Sequence, residues 1–303
     1  MVTDKQNLPQ VRGEYKFNEP LKKYVWLNVG GPADVLFLPK DEKDLQNFLK
    51  QKPENLPVFI LGGGSNLLVR DGGIAGAVIK LDSPAFAEYK IENEVLNIGG
   101  GFKNFALKNI LLENELGGLE FICSIPGSIG GLVRSNAGCF GSDLAQVLLK
   151  AKVMNGKGDI FEVLPADFNF SYRNSNFPED WIVLELSLKT KKTPAAQIEK
   201  IINDNFLYRK ERQPQGVRTA GSTFKNTPDA PAWKLIKQSG GNELKIGGAS
   251  LSDVHCNFMV NDGTASAADL ENLGEEVRRL VKKQTGVALD WEVKIIGRKN
   301  GND

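Results

Sequence analysis

The chain has 303 residues, of which 41% are hydrophobic and 25% are charged, a size that allows two or three cooperating subdomains. Its 38 basic residues nearly balance its 37 acidic ones, so no net field favours nucleic acid or an anionic membrane as a partner. The first residues lack the basic-then-apolar pattern of a secretory signal, and no apolar stretch is long enough to span a bilayer. We therefore expect a cytoplasmic protein that binds neither nucleic acid nor membrane.

The cysteines and the single histidine narrow the chemistry further. Cys123, Cys139 and Cys256 are far apart with no CxxC pair, which is typical of reduced thiols in a cytosolic protein. One histidine, His255, cannot build a His-based zinc cluster, and no metal site is predicted. His255 lies in LSDVHCNFMVN, where a partly buried structural role is favoured over a catalytic triad.

Residues 1–80 predict a first subdomain of short strands and one helix. YVWLNVGGPADVLFLP predicts two strands broken by Gly30-Gly31-Pro32, and DEKDLQNFLKQK predicts a helix with Asp41 near its N-cap. PVFILGGGSN and LLVRDGGIAGAVIKL predict further strands, with Asp71-Gly72-Gly73 as a hairpin-type turn.

Residues 81–208 predict a second subdomain. EVLNIGGGF predicts a strand, and KNFALKNILLENEL predicts a helix stopped by Gly117-Gly118. AKVMNG and DIFEVLP predict a hairpin around Asn155-Gly156, and DWIVLELSLKTKK predicts a strand of alternating apolar residues. AAQIEKIINDNFLYRKERQP predicts a connecting helix that is ended by Pro214.

Residues 209–287 predict a smaller domain, and the closing stretch 288–303 can return to the first subdomain as a strand. GSTFKNTPDAPAWKLIKQSG predicts a loop before a short helix, and GASLSDVHCNFMVN is strand-like. ASAADLENLGEEVRRLVKKQTG predicts a long amphipathic helix. Together the elements predict an α+β fold in several layers.

Two glycine stretches are the first signal of function. ILGGGSN, residues 60–66, lacks the third glycine of a dinucleotide fingerprint, and a strand rather than a helix is predicted after it. Ser65 and Asn66 add donors beside exposed backbone N–H groups, which predicts an anion nest without a helix. A second stretch, Pro126–Gly131, can supply another wall for a ligand with a central pyrophosphate. A tight turn between strands is the alternative interpretation of the first stretch.

Seven motifs then follow one another along the chain: VGGPAD, ILGGGSNLL, GLEFICSIPGSIGGLVRSNAGCFG, FSYRNSNF, GSTFKNTP, HCNFMVN and WEVKIIG. In these motifs and their order, the sequence resembles the UDP-N-acetylenolpyruvoylglucosamine reductase (UDP-N-acetylmuramate dehydrogenase) family of flavoenzymes over nearly its whole length. The resemblance implies a two-subdomain FAD-binding unit of the vanillyl-alcohol-oxidase type. A smaller α+β substrate domain is implied to follow it.

The resemblance also implies the reaction. NADPH reduces the flavin, and a hydride then passes to the enolpyruvyl ether of UDP-N-acetylglucosamine, which gives UDP-N-acetylmuramate for peptidoglycan synthesis. FAD is expected to be bound tightly without a covalent link, NADPH to share the substrate's site, and the protein to be a monomer. The flavin contacts implied by the resemblance are Gly63, Gly64, Ser65, Asn66 and Leu67 in the first stretch, and Gly127, Ser128, Gly130 and Gly131 in the second.

Three residues match the family's catalytic groups. The resemblance implies that Ser222 gives a proton to the substrate carbon, that Arg173 binds the substrate carboxylate, and that Glu292 orients or polarises the substrate. Plainer interpretations are a turn or cap for Ser222, a surface ion pair for Arg173 and a solvated strand face for Glu292. Asp290 is the competing carboxylate for the third role.

Lys225 and Asn226, which follow Ser222, are the predicted handles for the uridine nucleotide. Arg173 and Ser222 are separated by 48 residues, 174–221. This short span indicates the compact branch of the family, which lacks an extra tyrosine-bearing loop.

Departures from the family pattern at Trp26, Ser124 and Arg134 leave the details of the flavin contacts open. Two other hypotheses stay open as well. One is another FAD-dependent oxidoreductase of the same fold, such as an alcohol oxidase. The other is a nucleotide-binding protein that has lost turnover.

Overall fold

The computed structural model describes residues 7–300. Seven α-helices lie in this part of the chain: α1 (Glu42–Gln51), α2 (Leu107–Asn114), α3 (Glu120–Cys123), α4 (Ile129–Val133), α5 (Ala195–Arg212), α6 (Ala232–Gln238) and α7 (Ala267–Thr285). The strands are β1 (Glu14–Pro20), β2 (Pro32–Leu38), β3 (Val58–Ile60), β4 (Leu67–Val69), β5 (Ile74–Ile79), β6 (Tyr89–Glu92), β7 (Val95–Gly99), β8 (Leu116–Gly117), β9 (Gly138–Cys139), β10 (Ser142–Asp143), β11 (Leu148–Met154), β12 (Ile160–Val163), β13 (Ile182–Lys189), β14 (Lys191–Lys192), β15 (Lys245–Ile246), β16 (Ala249–Leu251), β17 (Met259–Asn261) and β18 (Lys294–Ile296).

The described residues form two compact units. The first comprises the segment that ends at Phe17, with Val35–Gly63 and Gly76–Leu207. The second comprises Asn18–Asp34, Gly64–Ala75 and the segment that begins at Tyr208. The limits predicted for three domains stay a prediction.

The larger sheet of the first unit is antiparallel and has the strand order β12-β11-β13-β7-β6. Its central strand β13 is buried along almost its whole length, because the apolar side chains on both of its faces meet other elements. Leu186 and Leu188 of β13 share one hydrophobic core with Leu111 of α2 and Ile129 of α4. The hairpin predicted from AKVMNG and DIFEVLP is confirmed, since β11 pairs antiparallel with β12.

A four-stranded sheet with the order β1-β2-β5-β3 also contributes to the first unit, and its strands β3 and β5 are parallel. Helix α1 packs beside it through Leu45, Phe48 and Leu49, which belong to a second core of this unit. The predicted N-cap is confirmed, because the Asp41 carboxylate accepts a hydrogen bond from the N–H of Asp44 at 3.0 Å.

The second unit is built around α7 and a three-stranded antiparallel sheet with the order β15-β16-β17. Ser266 and Asp269 form a capping box at the start of α7, and Gly286 ends the helix with φ 76°. Strand β18 pairs in parallel with β4, so that Lys294 lies opposite Leu67. The stretch after residue 288 therefore does pair with a strand of the first 80 residues.

The hairpin predicted at Asp71-Gly72-Gly73 is wrong. The strand before it, β4, pairs with β18, whereas the strand after it, β5, lies between β2 and β3. The Asp71 carboxylate instead accepts hydrogen bonds from the N–H groups of Ala267 and Ala268 at 3.0 and 2.9 Å. The first N–H groups of α7 have no partner inside the helix, and this carboxylate supplies one.

Two other predictions need correction. The described chain has no strand between Tyr24 and Gly30, and Leu27 and Val29 are buried there because they belong to the core of the second unit. Helix α2 ends at Asn114, before the predicted stop, because Glu115 takes the left-handed conformation with φ 53° and closes the helix.

Among residues 7–300, none of the helices has the length and apolar character needed to cross a bilayer.

Candidate functional site

The first glycine stretch leads into a strand, as predicted. Strand β3 ends at Ile60 and β4 begins at Leu67, with no helix between them in the described chain. Within residues 7–300, the N–H groups of Gly62 and Gly63 donate to no hydrogen-bond acceptor. Successive backbone N–H groups without partners can bind an anion.

The second glycine stretch leads into α4, a helix that the sequence did not predict. The N–H groups of Gly130 and Gly131 donate to the carbonyls of Gly100 and Ser128 at 2.8 and 2.9 Å, so they are already paired. A Cβ on Gly130 would lie 3.0 Å from the Gly100 carbonyl, so close packing explains this glycine without a ligand. The N–H groups of Gly127 and Ser128, in contrast, have no acceptor among the described residues.

These two stretches meet within the first unit. A Cβ on Gly63 would overlap the Cα of Gly127, and one on Gly62 would lie 3.3 Å from Ser128 Oγ. The backbones approach this closely only because side chains are missing. We call this group of four residues, whose N–H groups have no acceptors, the glycine cradle. Its chemistry fits the diphosphate of FAD, because backbone N–H groups bind phosphate oxygens well.

The rest of the first stretch belongs to the second unit. Gly64 has φ 67° and lies against the backbone of Tyr24, whose carbonyl a Cβ would overlap. Asn66 donates from Nδ2 to the Glu292 carbonyl at 3.0 Å and accepts from the Lys294 N–H at 3.1 Å. These bonds join the stretch to the segment that carries Glu292.

Ser222 begins a short segment, residues 222–225, in the second unit. Gly221 before it has φ 78°, a conformation that favours glycine, and the chain changes direction there. Ser222 pairs with Phe258 in an isolated antiparallel bridge. The serine residue is partly exposed.

Glu292 lies on the segment beside it. Its N–H donates to the Thr223 carbonyl at 2.9 Å. Trp291 and Val293 pack in the core of the second unit, as the predicted alternation requires, and Glu292 between them is partly exposed. The structure therefore brings together the two backbone segments that carry Ser222 and Glu292.

Arg173 belongs to the first unit, at the tip of a tight turn. The backbone N–H groups of Ser171 and Asn174 each donate to the other's carbonyl at 3.1 Å. Arg173 has φ 53°, an uncommon conformation for a residue with a side chain, and its guanidinium carbon lies 5.3 Å from the centre of the Tyr172 ring. Asn136 supports the turn, since its Nδ2 donates to the Ser171 carbonyl at 3.4 Å.

The two predicted nucleotide handles follow the Ser222 segment. The backbone N–H of Lys225 donates to the Asp290 carbonyl at 2.9 Å. Asn226 Oδ1 accepts a hydrogen bond from the N–H of Ala232, the first residue of α6, at 3.0 Å. Asn226 thus has a structural bond of its own, and its Nδ2 is the group left for a ligand.

His255 and Cys123 fit structural roles. The N–H of Asn257 donates to His255 Nδ1 at 3.2 Å, and the His255 ring meets the Phe258 ring edge-on. Burial lowers the pKa of His255 and raises the pKa of the Cys123 thiol to about 12. A thiol that stays protonated at neutral pH is a poor nucleophile, so Cys123 is poorly suited to form a covalent flavin link.

Three buried asparagines near these groups were given no role of their own from the sequence. Asn257 bonds to the Ser222 segment, and Asn136 bonds to the Arg173 turn. Asn104 donates its N–H to the Gly127 carbonyl, and its own Oδ1 has no partner in the described chain. The available signal was an amide inside an apolar run, as in HCNFMVN, since a buried carboxamide needs specific partners.

Comparison with known families divides the chain in the same order as the resemblance implied. Residues 33–164 match a family described as FAD binding domain. Residues 213–296 match a family described as UDP-N-acetylenolpyruvoylglucosamine reductase, C-terminal domain. The predicted fold class, an α+β FAD-binding unit followed by a smaller C-terminal domain, is confirmed.

Several relatives that match nearly the whole chain carry the same name. UDP-N-acetylenolpyruvoylglucosamine reductase of Gluconobacter oxydans is 44% identical over 96% of this chain and 94% of its own length. The protein of the same name from Bradyrhizobium sp. is 41% identical over 97% of this chain and 96% of its own length. A crystal structure of UDP-N-acetylenolpyruvylglucosamine reductase from Thermus caldophilus has a TM-score of 0.80 and 33% identity, and it covers 94% of this chain and 99% of that chain.

Proposed function

Since the chain belongs to the UDP-N-acetylenolpyruvoylglucosamine reductase family, we propose that it reduces the enolpyruvyl ether of UDP-N-acetylglucosamine to UDP-N-acetylmuramate. FAD is the cofactor and NADPH the co-substrate, and the product enters peptidoglycan synthesis. The protein works in the cytoplasm as a monomer, without nucleic acid or membrane as a partner.

The observation that carries this proposal is the glycine cradle. Four backbone N–H groups, those of Gly62, Gly63, Gly127 and Ser128, have no acceptor among the described residues. Side chains are excluded where the two stretches meet. A diphosphate supplies the missing acceptors, and its negative charge is favoured by the N–H dipoles.

The cradle and its flanking residues hold FAD. The proposed contacts are Gly63, Gly64, Ser65, Asn66, Leu67, Gly127, Ser128, Gly130 and Gly131. Gly130 and Gly131 contribute surface rather than N–H donors, because their N–H groups are paired within the chain. Bound FAD supplies the hydride chemistry, which no protein side chain can perform.

Ser222 is the proposed acid. As hydride adds to the vinyl terminus of the substrate, the neighbouring carbon becomes strongly basic, and Ser222 Oγ gives it a proton. A serine hydroxyl is a weak acid, so it serves only a base of this strength. Its partial exposure supports the role, because the alkoxide must afterwards regain a proton from its surroundings.

Arg173 and Glu292 act on the substrate's charge. The planar guanidinium of Arg173 binds the carboxylate and the enolate that it becomes, through paired charge-assisted hydrogen bonds. Glu292 orients or polarises the substrate next to Ser222, and the bond from its N–H to the Thr223 carbonyl supports that placement. Lys225 and Asn226 bind the uridine nucleotide.

The test separates the two half-reactions by stopped-flow absorbance. Purified protein should bind FAD, and the bound flavin should be bleached by NADPH and recoloured by the enolpyruvyl sugar nucleotide. Ser222→Ala should leave bleaching intact and slow recolouring by about 100-fold or more. Equal losses in both steps would assign Ser222 a structural role. Bleaching by simple alcohols, with recolouring by dioxygen and not by the sugar nucleotide, would favour another oxidoreductase of this fold.

A further inference from the structure

The segment that carries Ser222, residues 222–225, is held by hydrogen bonds to two other segments of the second unit. Thr223 donates its N–H to the Asn257 carbonyl at 2.7 Å on one side. On the other side its carbonyl accepts from the Glu292 N–H at 2.9 Å. The backbone next to Ser222 is therefore fixed from both sides.

One residue further along, a side chain takes over the role of the neighbouring strand. The Phe224 N–H donates to Asn257 Oδ1 at 3.0 Å, and Asn257 Nδ2 donates to the Phe224 carbonyl at 2.8 Å. A backbone N–H can only donate and a carbonyl can only accept, so these two bonds fix the orientation of the carboxamide. Phe224 is 0% exposed and Asn257 is 3% exposed, so water cannot replace either bond.

Asn257 is itself held in place by its neighbours. Its N–H donates to His255 Nδ1 at 3.2 Å, and the Met259 N–H donates to Thr223 Oγ1 at 3.0 Å. We call the two hydrogen bonds between the Asn257 carboxamide and the Phe224 backbone the clamp. The clamp is part of a polar network between residues 255–259 and 222–225. Loss of the carboxamide would leave both backbone groups of Phe224 without partners in the core, and the segment would have to move to reach water or other partners.

We infer that Asn257 is a positioning residue for the proposed reaction, and that its clamp on Phe224 fixes the Ser222 hydroxyl for proton transfer. The inference rests on the proposed function of Ser222. Ser222 lies two residues before Phe224, whose backbone the clamp holds. Gly221, on the other side of Ser222, does not restrict the backbone, because it has no side chain and the chain turns there with φ 78°. A displacement of about 1 Å at a reacting group can cost about 100-fold in rate.

Asn257→Asp turns the clamp into a titratable one. Below its pKa the new carboxyl can both donate to the Phe224 carbonyl and accept from the Phe224 N–H, as the amide does. Above its pKa the donor is lost, and a negative charge faces the Phe224 carbonyl. Burial raises the pKa of this carboxyl above its ordinary value of about 3.9, so the change falls within the range where the protein can be studied.

The expected result follows from that titration. The ratio of variant to wild-type recolouring rate should fall by about 100-fold as pH rises through the new pKa, and it should recover on acidification. Bleaching by NADPH should keep its wild-type rate at every pH. In FAD-free protein, amide hydrogen exchange of the segment 222–225 should quicken over the same pH range, which gives a readout independent of turnover.

Asn261→Asp is the matched control. Asn261 is also 3% exposed, and it lies four residues further along in the same unit. Its Nδ2 donates to the Leu27 carbonyl at 2.8 Å and its Oδ1 accepts from the Gly263 N–H at 2.7 Å, so its amide does not touch the Ser222 segment. Charged neighbours on the adjoining segments, namely His255, Lys225, Asp290 and Glu292, are the same in both variants.

The outcomes separate the inference from the proposed function. If Asn257→Asp and Asn261→Asp show the same rate ratios and exchange rates at all pH values, Asn257 does not position Ser222, even while Ser222→Ala still blocks recolouring. If Ser222→Ala recolours like wild type, the proposed function and the inference both fall. If Asn257→Asp does not fold, Asn257→Ser replaces it as the test. The serine keeps at most one bond to Phe224, so this variant should slow recolouring without new pH dependence. A wild-type rate of recolouring in Asn257→Ser would overturn the inference.

Discussion

Gly63 shows what a single missing side chain makes possible. A Cβ on residue 63 would overlap the Cα of Gly127, so any larger residue forces the two stretches of the glycine cradle apart. Overpacking of this kind costs about 1–3 kcal/mol. The cost falls on the geometry of the four N–H groups that are proposed to bind diphosphate.

We therefore expect Gly63→Ala to weaken FAD binding by roughly 10-fold or more. Titration of the FAD-free protein with FAD, followed by flavin fluorescence, measures this change. Gly241→Ala is the control, because a Cβ there meets its nearest neighbours at 3.4 Å, an ordinary contact. Equal FAD affinity in the two variants would contradict the cradle as the diphosphate site.

Glu292 and Asp290 are neighbours with different surroundings. Asp290 is exposed, whereas Glu292 is partly buried and its N–H bonds to the segment that carries Ser222. Glu292→Gln replaces the carboxyl group with an amide, which can neither carry the negative charge nor give up a proton, but it keeps the shape of the side chain. We expect it to slow recolouring by about 10-fold or more without releasing FAD.

Asp290→Asn tests the competing carboxylate at the same time. This exposed position should recolour at the wild-type rate, because its side chain can be replaced without disturbing the Lys225 N–H bond to the Asp290 backbone carbonyl. A reversed pattern, with Asp290→Asn slow and Glu292→Gln normal, would move the catalytic carboxylate to Asp290.

At the scale of elements, the sequence correctly predicted those helices that depend on a local pattern of residues. Helices α1 and α7 carry both an apolar stripe and an N-cap, and both formed where predicted. The turn at Asp71-Gly72-Gly73 has hairpin chemistry, yet its strands separate because β4 pairs with β18 from the far end of the chain. That pairing is a long-range choice, and local propensity carries no information about it.

The candidate site follows the same division. The glycine stretches were noted from their own residues, and Ser222, Arg173 and Glu292 were predicted because their motifs resemble those of the family. Asn257 was not found, since its importance lies in two bonds to Phe224, which is 33 residues away in sequence. A buried asparagine becomes informative only when its partners are known.

Strand β4 is fixed to α7 by one bidentate ion pair. Arg70 donates from Nε and from a terminal nitrogen to the two carboxylate oxygens of Glu271, both at 2.8 Å. These hydrogen bonds lower the pKa of Glu271. A lowered pKa in the folded state means that the carboxylate adds stability above its ordinary pKa of about 4.3, and that this stability is lost as pH falls through the lowered value.

Glu271→Gln should therefore reduce the free energy of unfolding at neutral pH by about 0.5–1 kcal/mol, since water still screens part of this pair. The difference from wild type should shrink as pH falls below about 4, where wild-type Glu271 also becomes neutral. Urea unfolding at several pH values measures both effects. Glu276→Gln, in an exposed pair with Arg279 on the same helix, should show little change; equal losses in the two variants would contradict a special role for the Arg70 pair.

At the scale of the whole molecule, each unit has hydrophobic cores of its own. Among the described residues, the first unit contains two, around β13 and around α1, and the second contains one, around α7. The glycine cradle lies in the first unit alone, since Gly62, Gly63, Gly127 and Ser128 all belong to it. FAD bound there is linked to the folding of that unit, because the unfolded chain does not keep two remote loops together.

Added FAD should therefore raise the unfolding midpoint in proportion to the logarithm of its free concentration. At 100 times the dissociation constant, the added stability should be about 2.7 kcal/mol. Thermal unfolding followed by circular dichroism at a series of FAD concentrations measures the rise, and hydrogen exchange should slow at the four cradle amides. Gly63→Ala should need proportionally more FAD for the same rise. If FAD does not change the unfolding midpoint of the wild-type protein, or if it slows hydrogen exchange only away from the cradle, the diphosphate does not bind in the cradle.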